Sequence, residues 1–115
     1  LPAVLLPTDA PVRALSALAT ADDLLLLIGA NGADAAEMGL ALVAAAHERD
    51  MPVISLGALG NGLLSHKLRD TDVNVCVPHT RAARVAEMHL LVLNCVCDGV
   101  DALLLGDATE LETAE

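Results

Sequence analysis

Apolar residues along this chain fall into short unbroken runs, separated by turn residues and by longer stretches with helical spacing. The runs "AVLL" (3–6), "LLLLI" (24–28) and "PVISL" (52–56) are nearly uninterrupted by polar side chains, the pattern of strands buried on both faces of a parallel sheet. A fourth run, "VNVCV" (73–77), alternates more and predicts an edge strand. Segments 11–20, 34–50 and 61–68 between these runs read as helices. Strand and helix in alternation predict the α/β class: a three-layer α/β/α sandwich with a parallel sheet and right-handed crossovers. After Pro78 the pattern changes, and residues 80–105 predict one helix of about 39 Å at ~1.5 Å per residue. A globule of this size spans roughly 34 Å. The helix is therefore expected to overhang, and its apolar circumference to pack in a bundle with other subunits.

Composition sharpens this picture. The 115 residues are 55% apolar with no aromatic side chain, so one domain (1–106) must build its core from Leu, Val, Ala and Ile. Small aliphatics each bury little area, and a short chain with a mean hydropathy of +0.58 is expected to hide further surface in an oligomer. Sixteen acidic against six basic residues give a formal charge of −10. That field repels a phosphate backbone and argues against direct nucleic-acid binding. It suits a basic protein partner, or plain solubility. Residues 107–115, "DATELETAE", read as an acidic tail. The most apolar windows are interrupted by Asn31, Asp34 and Glu37, and by Arg84, Glu87, His89, Asn94 and Asp98, so no membrane span is expected. Three cysteines, Cys76, Cys95 and Cys97, lie in apolar segments with no leader before them. They are expected to be reduced, buried thiols in a cytoplasm.

The stretch "LLLLIGANGADAAE" (24–37) runs from strand through two glycines to a helix start. Glycines there let backbone N–H groups approach an anion at a helix N-terminus, yet the loop carries no Ser, Thr, Lys or Arg. Asp34 and Glu37 are spaced as a capping box, so the Asp34 carboxylate would take the donors that an incoming phosphate needs. A capped helix is the reading this spacing favours; a phosphate cradle and a neutral or altered ligand stay open.

Other groups point to structure before chemistry. Cys95 and Cys97 are about 200° apart on a helix and cannot face one ion, which makes both core residues. His79 and His89 do not share a helix face, and His89 reads as a surface or interface residue. His47 with Asp50, and His66 with Asp70, stand at helical contact spacing as solvated pairs. Arg81, Arg84 and Glu87 predict a salt-bridged helix face. Ser16, Ser55 and Ser65 lack a nucleophile-elbow context. Leu103, Leu104 and Leu105, beside the acidic tail, form either a docking patch or the end of a core or subunit interface.

The order of "LLLLIGANGADAAEMGLALVAAAHERDMPVISLGALGNG" followed by "DTDVNVCVPHTRAARVAEMHLLVLNCVCDGVDALLLG" resembles the sugar isomerase (SIS) domain. The likeness covers about residues 2–106 and is closest to the branch holding phosphoheptose isomerase and the DnaA initiator-associating protein DiaA. In that branch the sugar-phosphate loop, approximately I-S-T-x-G-N-S, falls on Ile28 to Asp34. Its hydroxyls have become Gly29, Ala30 and Asp34; these, with Asn31 and Gly32, are the expected degenerate ligand loop. Asp9 in "PTDA" matches an acidic substrate contact. The isomerases' long helix supplies a Gln and, eight residues later, a His that serve the metal and the proton transfer. Those positions fall on Ala86 and Asn94, neither of which is a general base at neutral pH. The family's N-terminal helices and its "GNGGSA"-like loop are not found, and the link from Asp9 to Ala21 is short. "MHLLVLNCVCD" fits the DiaA-like version. The resemblance thus implies a non-catalytic, cytoplasmic homotetramer or homodimer without metal or cofactor. It would bind the initiator DnaA through Leu104 and Leu105 and touch DNA only through that partner. The alternatives are a zinc-dependent phosphoheptose isomerase acting on sedoheptulose 7-phosphate, and a sugar-phosphate sensor without turnover.

Overall fold

The computed structural model describes residues 3–7, 9–29, 33–59 and 62–106. They form the α/β architecture that the pattern predicts, in two compact units, Leu1–Thr80 and Arg81–Glu115. In the first unit three parallel strands, β1 (Leu25–Ile28), β2 (Val53–Ala58) and β3 (Val73–Val77), lie in the order β1-β2-β3. Leu25 stands beside Val53, and Ile54 beside Val73. Helices α1 (Pro11–Leu18), α2 (Ala33–Glu48) and α3 (Gly62–Lys67) alternate with the strands.

Each element has a local cause. Pro11 opens α1, where its fixed φ suits the first helical position and its missing N–H leaves nothing unpaired. Pro11 and Leu15, one turn apart, are the buried stripe of this helix, continued by the C-cap Ala19. α2 buries Gly39, Leu42, Val43 and Ala46, the i, i+3, i+4, i+7 face of an amphipathic helix. It ends in a left-handed residue, Asp50, at φ 55°. There the Met51 N–H donates to the Ala46 carbonyl and the Asp50 N–H to the His47 carbonyl, which satisfies two of the helix's terminal carbonyls. Arg49 then reaches across to the carbonyls of Ala19 and Ser16 at the end of α1. The core is therefore a wedge of α1 and α2 against β1 and β2: Leu15, Ala19, Leu25, Leu42, Val43, Ala45, Ala46, Met51 and Val53.

Gly39 is the position where this packing tolerates more than it holds. A Cβ built there meets the Leu27 side chain at 3.6 Å, ordinary van der Waals contact, in the middle of a 16-residue helix. Gly39→Ala should therefore raise stability by about 1 kcal/mol through helix propensity, read as a higher urea midpoint at unchanged slope.

Two expectations fail here. Residues 3–7 join no strand of the sheet, and Val4 and Leu5 are 73% and 96% exposed. An apolar run becomes a strand only where a neighbour accepts its hydrogen bonds, and this one leads through Pro7 into the bend that starts α1. Burial on both faces holds only for β2. With no strand beyond it among the described residues, β1 is an edge, and Leu26 and Ile28 on its second face stay about half exposed.

The second unit is dominated by α4 (Ala82–Leu104), 23 residues and about 35 Å long. Arg84 and Glu87 pair at 2.9 Å, as the i, i+3 spacing predicts. The Leu105 N–H bonds back to Asp101, and Gly106 turns out of the helix at φ 77°, where glycine is at ease. Val85 and His89, one turn apart, are buried, which is against the surface half of the surface-or-interface reading of His89. All three cysteines are free and exposed, against the expected burial. α4 is apolar on opposing sides, so an apolar neighbourhood in sequence does not fix which side is covered. No helix among the described residues is long and apolar enough to cross a membrane. The expected acidic tail, 107–115, lies outside the described residues.

Candidate functional site

A parallel sheet delivers all its strand ends to one edge, and crevices outside those carboxyl ends are where open α/β sheets bind ligands. In this chain that edge carries Gly29 after β1, Leu59 after β2, and Pro78, His79 and Thr80 after β3. Gly29 is half-buried, and its N–H donates to the Leu56 carbonyl at 2.7 Å. That bond continues the β1–β2 ladder by one residue and removes this N–H from the donors open to an anion. Ala30, Asn31 and Gly32 lie outside the described residues. The backbone of α2 begins at Ala33, which puts Asp34 inside the first turn rather than before it, out of register with the expected capping box; its side chain lies outside the description. After β3 a tight turn, closed by the His79 N–H on the Val77 carbonyl at 2.8 Å, sets His79 exposed at the same edge.

Of the other sequence-derived positions, Asp9 occupies an exposed bend before α1. Ala86 and Asn94 are exposed on α4, and Leu104 and Leu105 stand exposed (63% and 74%) at its end.

The best-defined polar cluster is at the opposite edge, where the strands start. Asp72 precedes β3 with its side chain 1% exposed. One carboxylate oxygen accepts the Val53 N–H at 2.8 Å. The other accepts the Arg69 N–H at 2.9 Å and lies 2.7 Å from His47 Nε2. Burial by itself would raise the Asp72 pKa, but the Arg69 N–H, the imidazole and the Val53 N–H together outweigh it and hold the carboxyl below its ordinary 3.8. This group ties the last turn of α2 to the first residues of β2 and β3. It is a clamp at the edge of the sheet where the strands start, and the open hollow beside it, lined by Asp50, Met51, Arg69, Asp70 and Thr71, shares that placement. The expected His47–Asp50 pair is replaced: His47 takes Asp72, and Asp50 faces Arg69 at 3.4 Å on the surface. No sequence spacing announces a His–Asp contact 25 residues apart; only the sheet topology creates it.

Zinc, which the isomerase resemblance implies, can be tested against the donors present. Among the described residues no group of three or more His, Cys, Asp or Glu side chains could hold a metal, and positions 86 and 94 of α4 carry a methyl and a carboxamide. The donors present among the described residues do not fit the ion.

No family model matches the sequence. Curated relatives do. The phosphoheptose isomerase of Methylibium petroleiphilum is 45% identical over 95 residues, 83% of this chain and 46% of that protein. The phosphoheptose isomerase of Dechloromonas aromatica is 56% identical over 64 residues, 56% of this chain and 33% of that protein. Among solved structures, the phosphoheptose isomerase of Neisseria gonorrhoeae superposes with a TM-score of 0.70 at 41% identity, over 78% of this chain and 49% of that one. The chain thus spans about half the length, or less, of the curated relatives it matches. These likenesses bear out the α/β fold and the phosphoheptose isomerase side of the resemblance. They overturn the expected initiator-binding adaptor: the relatives are named for isomerisation of a phosphorylated sugar, and the helix signature "NCVCD" did not separate the two branches.

Proposed function

We propose that this chain is a protein of the phosphoheptose isomerase type with a phosphorylated heptose as its ligand. The observation that carries the reading is the 45% identity over 95 residues, joined to the parallel sheet whose strand ends share one edge. In sequence the expected loop, Gly29, Ala30, Asn31, Gly32 and Asp34, follows β1, whose end stands at the edge where phosphate-binding loops of α/β proteins begin. With no Ser or Thr in it, and with the Gly29 N–H already bonded, the phosphate is left to main-chain donors beyond Gly29.

Sedoheptulose 7-phosphate is the probe. It should raise the melting temperature progressively with its concentration, as any ligand of the native state does, adding about 2.7 kcal/mol of stability at a hundredfold excess over Kd. Unphosphorylated sedoheptulose and inorganic phosphate at equal concentration should do much less. An unchanged melting curve with the phosphorylated sugar would reject the reading.

A further inference from the structure

Resting on that reading, we propose that this protein holds its phosphorylated sugar without zinc and without turning it over, because α4 presents neither a metal ligand nor a base at positions 86 and 94. Exchange of a carbonyl between neighbouring carbons removes a proton from one carbon and returns it to the other. The group that carries it must be titratable near neutral pH and within hydrogen-bond reach. A methyl at Ala86 carries no proton. The carboxamide of Asn94 neither gains nor loses one in this range, and it lacks the imidazole nitrogen that zinc takes as a ligand.

The rest of α4 does not compensate. His89 is 4% exposed and stands away from the polar sector. Glu87 is held by Arg84 at 2.9 Å. Cys95 and Cys97 point about 200° apart. Glu87 and Asp98 share a side but are separated by about 16 Å of helix rise, far beyond two ~2 Å metal bonds. Asp98 and Asp101, three residues apart, supply two carboxylates where a zinc site needs three or four ligands. In the first unit His79 is exposed at the strand-end edge but belongs to no group of three or more metal-ligating side chains among the described residues, and the one buried His–carboxylate pair described there is the clamp of His47 and Asp72 at the edge remote from the strand ends.

The test restores what is missing. Full-chain protein and the double variant Ala86→Gln with Asn94→His are compared in three measurements: calorimetric titration with sedoheptulose 7-phosphate, metal content after dialysis against zinc, and sugar interconversion followed by chromatography. Both substitutions fall on exposed positions of α4, and circular dichroism checks that the helix persists. The expected result is that both proteins bind the sugar phosphate, while only the variant retains zinc and interconverts the sugar. Its rate should be at least about 10²-fold above the unaltered protein, the lower end of what a positioned acid–base group contributes. Stoichiometric zinc or comparable turnover in the unaltered protein overturns the inference. So does a folded variant that binds the sugar but gains neither property. If the variant does not fold, zinc content and turnover of the unaltered protein decide alone. Loss of sugar binding in both folded proteins would instead reject the reading beneath the inference, leaving zinc content to judge the inference itself.

Discussion

Asp72→Ala should lower the unfolding free energy by about 3 kcal/mol, the lower end of what removing one partner of a buried pair costs. Three groups lose their acceptor at once: the N–H of Val53, which has 0% exposure, the N–H of Arg69, and the His47 imidazole. Arg69 is half exposed and can turn to water, so its share is small. Val53 cannot, and a buried unsatisfied donor costs about 1–3 kcal/mol. Asp72→Asn keeps one carbonyl oxygen and should lose roughly half as much. Urea unfolding measures both, and a loss below about 0.5 kcal/mol for the alanine variant, the range of ordinary surface changes, would show that the clamp is ornamental.

The pH dependence follows with a definite sign. The folded-state pKa of Asp72 lies below the ordinary 3.8, so the unfolded chain binds more protons in this range, and stability rises with pH. The contribution of Asp72 is complete above the ordinary carboxylate range. It is lost as pH falls below 3.8 and through the folded value. The alanine variant should therefore differ from the parent strongly near neutral pH and progressively less in acid.

Leu15→Ala should be comparably severe, at about 3 kcal/mol, whereas Leu18→Ala three residues on should stay within about 0.5 kcal/mol. Both leucines belong to the same eight-residue helix. Leu15 is 4% exposed and belongs to the core wedge; Leu18 is 62% exposed. Leu15 is the largest side chain that α1 buries, so truncation leaves both a cavity and a helix without an anchor. Equal losses at the two positions would mean that the α1 stripe is assigned to the wrong face.

Much of this architecture was legible in the order of residues. The unbroken apolar run at 24–28, the helical spacing of Gly39, Leu42, Val43 and Ala46, and the change of period after Pro78 each reflect a constraint carried within one element. Strand, helix and long helix therefore emerge within a few residues of their observed bounds. The ligand loop was legible as an omission, since glycines without hydroxyls are a property of composition. The branch of the family was not legible in the same way. A cysteine and aspartate signature on α4 pointed to an adaptor, while likeness along 83% of the chain points to isomerases.

What the sequence determined by itself was periodicity, and with it the class of fold, because alternation and helical spacing act between neighbours. Which apolar run finds a ladder partner, which face of α4 covers Val85 and His89, and which carboxylate meets His47 were decided only in three dimensions. Those outcomes depend on strand order and on contacts across 25 or more residues, and no local pattern encodes such distances. Asp72 shows the difference most plainly: in sequence it is one acid among sixteen, and in the folded chain it is the buried acceptor that joins α2, β2 and β3.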